Sequence, residues 1–411
     1  MICRHCASEL TIPFIDLGFA PPSNAYLSTE DLEKPEKYFP LKVAVCSNCW
    51  LAQTADYAQA HELFNSGYAY FSSTSSSWLA HASHYAKKAI DSLSLNAKSF
   101  VIEVASNDGY LLKNFVAAGI PCLGIEPTAS TAEFAERLGI PVIREFFGES
   151  LGRKLAAEGR CADLIIGNNV YAHVPDINDF TLGMKKVLKV GGVVSLEFPH
   201  ILKLIEKTQF DTIYHEHFSY LSLYSVSRIF QSAGLRIYDV EELATHGGSL
   251  RVFGCHIEDS RPTSPSVGQV LMSEDAAGLR KEKTYLEFQG RADKIKDDLL
   301  RFLIDAKLSK KVVAGYGAAA KGNTLLNYAG VKPDLLPFIC DSAPAKQAKF
   351  TPGGHIPILS PAALLDVEPD FILILPWNIQ DEILEQQKLV VKRGAQFLVA
   401  IPHLHFVFPV S

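Results

Sequence analysis

Ser99-Phe100-Val101-Ile102-Glu103-Val104-Ala105-Ser106-Asn107-Asp108-Gly109 is an apolar run that breaks into a turn of small polar residues closed by a glycine. Such a run reads as a buried strand with an abrupt end. The pattern recurs downstream. Strands are expected at Phe100–Val104, Cys122–Ile125, Asp163–Gly167, Val193–Phe198 and Leu235–Val240. Helical periodicity lies between them, as over Ala132–Leu138 and Phe180–Leu188. Strands alternating with helices build a parallel sheet covered on both faces.

The turn after the first strand lacks the G-x-G-x-x-G fingerprint, so a pyrophosphate has no obvious seat there. It offers carboxylates instead. Glu103 and Asp108 can meet a cationic amino group, with Ser106 and Asn107 between them. The next strand ends at Gly124-Ile125-Glu126-Pro127, and an acidic residue at that place grips a ribose diol in nucleotide-binding α/β folds. A cofactor with a ribose and no phosphate fits, and S-adenosylmethionine is one. The plainer alternative is that Glu103 and Asp108 cap the following helix; the three carboxylates together favour the cofactor. Asn168 and His173 lie in the loop after the strand Asp163–Gly167. That places them at the carboxyl ends of the strands, where open α/β sheets bind ligands.

The rest of the chain sets the context. With 411 residues, two or three domains are expected. A net charge of −6 argues against a general nucleic-acid binder. No apolar run reaches the roughly 18 to 20 residues of a membrane span. Met1-Ile2-Cys3-Arg4-His5-Cys6 lacks the apolar core of a signal peptide, so a cytoplasmic location is expected. A monomer is the expected state.

Residues 1–75 hold two C-x-x-C pairs, Cys3 with Cys6 and Cys46 with Cys49, and too little periodicity for a core of their own. Paired cysteines in a cytosolic chain are metal ligands more often than disulfides. Two such knuckles complete a closed four-cysteine site for a structural Zn²⁺, which would compensate for the missing core. Redox or simply buried cysteine pairs are the alternative. Residues 76–265 form the α/β domain described above. Residues 266–308 read as a helical linker, with the charged segment Ser273–Ala306 as one long helix. Residues 309–411 start a second, smaller α/β unit, with strands at Lys311–Tyr316, Pro337–Cys340, Phe371–Leu375 and Gln396–Ile401.

Tyr214-His215-Glu216-His217 places two imidazoles, a carboxylate and a phenol within four residues among apolar neighbours. A zincin helix requires a histidine where Ser219 stands, so that reading fails. A metal pair of His215 and His217 on one face of a strand remains open, as does a polar strand end with internally satisfied histidines.

The two cysteine pairs, Val101–Leu111, Asn168–Asp176, Thr208–Leu223, His246–Val252 and Ala318–Asn327 together, in order over essentially the whole chain, resemble the nucleotide-sugar C-methyltransferase family. Its members include the C-3 methyltransferases of the tylosin and tetronitrose pathways. The resemblance implies a zinc-binding N-terminal domain, a class I methyltransferase Rossmann-like central domain and a C-terminal Rossmann-like domain. It implies methylation at C3 of a nucleoside-diphosphate 4-keto-6-deoxyhexose, in branched deoxysugar biosynthesis.

That chemistry needs a carbanion equivalent. The C4 keto group acidifies the C3 hydrogen, a base removes it, and the enolate carbon attacks the sulfonium methyl. An imidazole with a pKa near ~6.5 suits the base, and donors must meet the enolate oxygen. By resemblance, the catalytic tyrosine, glutamate and histidine fall on Tyr214, Glu216 and His217. The loop histidine falls on His173, and a further tyrosine on Tyr68, with Tyr70 close by. His215 is expected to be structural. At Gly315–Thr324 a glycine turn opens a helix, where Lys321 and Asn323 would meet the substrate's diphosphate. Arg251, after Gly247-Gly248, is another candidate anion contact. A nicotinamide-dependent sugar-nucleotide dehydrogenase or epimerase built on this turn is the alternative, weakened by Ala320 at the third glycine position.

Overall fold

The computed structural model describes residues 1–55 and 72–409. The central sheet has seven strands, in the order Val142–Ile143, Cys122–Ile125, Val101–Val104, Ala162–Asn168, Leu188–Pro199, Ser249–His256, Leu235–Leu243. Numbered along the chain this is 3-2-1-4-5-7-6. The strand Ser249–His256 runs antiparallel to both neighbours, while the first five are parallel. This is the class I methyltransferase sheet. Val101–Val104 and Cys122–Ile125 are buried at every position, which is why they read as mostly apolar runs, with Glu103 the one charged residue.

The N-terminal sheet is antiparallel: Ile12–Ala20, Phe39–Val45 and Ala52–Thr54. Its fourth strand, Ser219–Tyr220, comes from the central part of the chain and pairs with Ala52 and Gln53. Among the described residues the region has no core of its own. Phe14, Leu41 and Val43 pack in one cluster with Phe288 and Leu299 of the helix Phe288–Leu308, and with Leu325 and Ile339 of the C-terminal unit. That unit has six strands, in the order Ile358–Leu359, Ile339–Cys340, Val313–Tyr316, Phe371–Ile374, Gln396–Val399, His405–Val407, parallel except for the last.

Two sequence expectations need correction. The segment Ser273–Ala306 is not one helix but parts of three, Pro265–Ala276, Glu282–Leu286 and Phe288–Leu308. Gly278 takes a left-handed φ of +79°, and Leu279 and Tyr285 turn inward to bury their side chains. The central sheet also holds two strands beyond those expected, the two-residue Val142–Ile143 and Ser249–His256, whose start is masked in the sequence by Gly247-Gly248.

Candidate active site

The first turn of the central sheet is tight. Ala105, Asn107 and Gly109 all have positive φ, at +56°, +50° and +79°. This curls the chain over the end of the Val101–Val104 strand and gathers carboxylates beneath it. Glu126 accepts from the Asn107 amide at 3.0 Å and from the Thr128 amide at 2.9 Å, fixing the turn against the second strand. Asp108 accepts from the Ser73 amide at 3.0 Å. Among the described residues, both carboxylate oxygens of Glu103, Oδ1 of Asp108, Oγ of Ser106 and both amide atoms of Asn168 are buried without a hydrogen-bond partner. Burial, reinforced by Asp108 and Glu126, holds the Glu103 carboxyl well above the usual carboxylate range. Orphaned buried acceptors are costly, and a ligand that brings a cationic amino group and hydroxyls answers them. The donor set therefore fits S-adenosylmethionine.

Tyr214–His217 is a turn, not a strand: the His217 amide donates to the Tyr214 carbonyl at 2.9 Å. The turn folds the first and last side chains together, with ring centroids 4.0 Å apart. The face-sharing metal pair of His215 and His217 is thereby overturned. His215 points to the N-terminal sheet, its Nε2 3.3 Å from the Phe39 carbonyl. His217 Nδ1 lies 2.9 Å from the Thr212 carbonyl. A carbonyl can only accept, so Nδ1 carries the proton and Nε2 the lone pair. Burial, together with His173, Lys321 and His246, pushes the imidazole pKa well below its usual value. His217 is thus neutral at physiological pH. His173 packs edge-on against it, centroids 4.6 Å apart, and burial lowers its pKa to about 4. Glu216 accepts from Asn24 Nδ2 at 3.0 Å, and burial raises its carboxyl to about 7. Thr54 Oγ1 donates to the His217 carbonyl at 3.2 Å, and the Phe218 amide to the Ala172 carbonyl at 2.8 Å. The N-terminal sheet and the central domain therefore both hold this backbone.

The C-terminal helix Ala320–Ala329 borders the same place. Asn323 donates to the Ser23 carbonyl at 2.7 Å, and its Oδ1 is buried without a partner among the described residues. Lys321 is half-buried, bonded to Asn378 and lying 4.7 Å over the Trp377 ring. Burial lowers its pKa, and Asp211 opposes the shift. Arg251 lies elsewhere: it is buried in the central sheet, ion-paired with Glu197 and Glu241 and stacked over Tyr85 at 4.2 Å. Its charge is already matched, which sets it apart from a free anion contact. Tyr68 and Tyr70 lie outside the described residues.

The nicotinamide alternative meets an occupied crevice. Tyr26 and Lys346 both donate to the Ala318 carbonyl in the turn where a dinucleotide would lie. Asp341, just past the Ile339–Cys340 strand where a ribose would be gripped, accepts from the Ala343 amide at 2.8 Å and pairs with Lys346 at 3.6 Å.

The sulfur atoms of Cys3, Cys6, Cys46 and Cys49 all lie within 4.8 Å of one another. Cys3 to Cys49 is 3.5 Å and Cys6 to Cys46 is 3.4 Å. A tetrahedral Zn²⁺ with Zn–S bonds of about 2.3 Å separates its sulfurs by about 3.8 Å. Each knuckle closes on a residue of positive φ, Ala7 at +58° and Trp50 at +59°. The donors and their spacing fit zinc.

Several residues at this place do not stand out singly in the sequence. Asn24 sits in a loop and Asp211 and Thr212 in a short 3-10 turn. His246, whose Nε2 lies 3.2 Å from Asn169 Nδ2, was visible only as part of a motif.

Comparison with known proteins agrees with this geometry. A zinc binding domain model matches residues 3–64, a methyltransferase domain model residues 78–240, and a C-methyltransferase C-terminal domain model residues 244–402. Over 400 residues the chain is 34% identical to the C-methyltransferase NovU of Streptomyces niveus, covering 97% of this chain and 95% of that protein. The chain belongs to the C-methyltransferase family. Among solved structures, magnesium protoporphyrin IX methyltransferase (ChlM) from Synechocystis with bound SAH is 13% identical, over 43% of this chain and 82% of that one, with a TM-score of 0.35. YcgJ of Bacillus subtilis is 12% identical over 43% and 99%, with a TM-score of 0.34. The class I sheet of this C-methyltransferase rests on its own strand order. Its cofactor is S-adenosylmethionine, and its four-cysteine cluster suits zinc. Among the described residues no helix is long and apolar enough to cross a membrane.

Proposed function

We propose that this C-methyltransferase acts at C3 of a nucleoside-diphosphate 4-keto-6-deoxyhexose through an enolate. The observation that carries the reading is the fixed tautomer of His217. With Nδ1–H given to the Thr212 carbonyl, Nε2 offers a lone pair, and the low pKa keeps it unprotonated. Methylation of oxygen or nitrogen does not require carbon deprotonation; methylation of carbon next to a ketone does.

Nε2 of His217 takes the C3 proton. Charge then develops on the C4 oxygen, where the Tyr214 hydroxyl and a protonated Glu216 carboxyl can donate. His173, neutral and packed on His217, keeps the base free of a competing charge. Glu103, Ser106, Asn107, Asp108, Glu126 and Asn168 hold S-adenosylmethionine, which supplies an electrophilic methyl. Lys321 and Asn323 meet the substrate's diphosphate. Arg251 is left out of that set, since Glu197 and Glu241 already pair it.

The test is incubation with S-adenosylmethionine and a panel of 4-keto-6-deoxy sugar nucleotides. The expected product carries one added methyl on C3, seen as a quaternary carbon by NMR. Methyl found only on oxygen or nitrogen would overturn the enolate.

A further inference from the structure

We propose that Trp377 and Thr324 of the C-terminal domain are positioning residues for the base, clamping the Thr212 carbonyl that fixes the His217 tautomer. The inference rests on His217 being that base. Three consecutive residues carry it. The Trp377 indole Nε1–H donates to Oδ2 of Asp211 at 2.7 Å, and Asp211 is fully buried. The Thr212 carbonyl accepts from His217 Nδ1 at 2.9 Å. The Ile213 carbonyl accepts from Thr324 Oγ1 at 3.0 Å. Two side chains from the far domain thus fasten the chain on either side of the carbonyl that orients the imidazole.

The rest of the surroundings serve the same contact. Thr212 Oγ1 ties back to the Gln209 carbonyl at 2.7 Å, closing the turn from within. Gly247 makes room for the indole: a Cβ there would lie 2.3 Å from the Trp377 ring and 2.6 Å from Gln209 Nε2. Lys321 Nζ lies over the same ring, 4.7 Å from its centroid.

The consequence is chemical. A neutral imidazole with a fixed acceptor at Nδ1 keeps its lone pair on Nε2. If that acceptor moves, the proton is shared between the two nitrogens, and the base atom is blocked for part of the population. Turnover then falls while substrate affinity stays.

The experiment compares Trp377→Phe, Thr324→Val, the double variant and Asp211→Asn in the full-length chain. Imidazole nitrogen NMR without substrate reads the tautomer of His217, and steady-state kinetics separate kcat from KM. The clamp predicts a single tautomer, protonated on Nδ1, in the wild type and a mixture in the double variant. It predicts kcat lower by about tenfold with KM unchanged. Asp211→Asn keeps an acceptor for the indole and should retain the tautomer, showing that the bond and not the charge holds the turn. A folded double variant with the wild-type tautomer overturns the clamp, whatever its kcat. If the double variant does not fold, either single variant with unchanged tautomer and kcat does the same. Because the tautomer is read without turnover, active His217→Asn would defeat the reading of the base and leave the clamp to be judged on its own spectrum.

Discussion

Four groups stand side by side in Tyr214-His215-Glu216-His217, and the turn gives them different surroundings. His215 is bonded to the Phe39 carbonyl, so His215→Gln should lower the unfolding temperature yet leave turnover near wild type. Glu216 makes a sharper prediction. Its folded carboxyl keeps its proton up to about 7, against a usual 4.5. Between those values the folded chain binds the extra proton, so this group makes stability fall as pH rises through the window. Its full cost, on the order of 3 kcal/mol, is present above the upper value. Glu216→Gln keeps an acceptor for Asn24 and cannot ionise. Denaturation curves should therefore match the wild type near about pH 4 and show the variant more stable by up to that amount near about pH 8. A stability difference independent of pH would contradict the buried, proton-holding carboxyl.

Five of the seven strands of the central sheet were legible because their signals are local: mostly apolar runs bounded by turn residues. The carboxylates at Glu103, Asp108 and Glu126 were legible for the same reason, since each falls at or just past a strand end. The tautomer of His217 was not. It depends on Thr212, five residues away in sequence but held by a tryptophan and a threonine more than a hundred residues further on. No periodicity encodes such contacts. The break in the helix after Ser273 is hidden because charge periodicity continues through the left-handed Gly278. The close pairing of the first two strands also yields a test. A Cβ at Gly124 would lie 2.5 Å from Ser106 Oγ and 3.1 Å from its Cβ. Gly124→Ala must push Ser106 into the polar turn, and calorimetry should show S-adenosylmethionine binding weakened by about tenfold, or about 1.4 kcal/mol. Unchanged affinity would mean that Ser106 lies outside the cofactor's seat.

Three sheets meet at one histidine. The strand Ser219–Tyr220 completes the N-terminal sheet two residues past His217, the central domain bonds the Phe218 amide, and the C-terminal domain reaches the neighbouring turn. The zinc knuckles are therefore far from the chemistry in role but not in consequence. Cys46→Ser should release the metal and cost on the order of 4 kcal/mol. Turnover should fall with it, because the sheet that borders His217 loosens; metal analysis, thermal unfolding and a turnover assay on the same sample check this. The same convergence means that, among the described residues, groups around His217 come from all three parts of the chain.

Exchange of the C3 hydrogen in heavy water isolates what the assembled site does before any methyl moves. With a 4-keto-6-deoxy sugar nucleotide and S-adenosylhomocysteine, the wild type should wash deuterium into C3, and His217→Asn, still binding the cofactor, should not. Exchange at the wild-type rate in His217→Asn would contradict the account and assign the proton to another group.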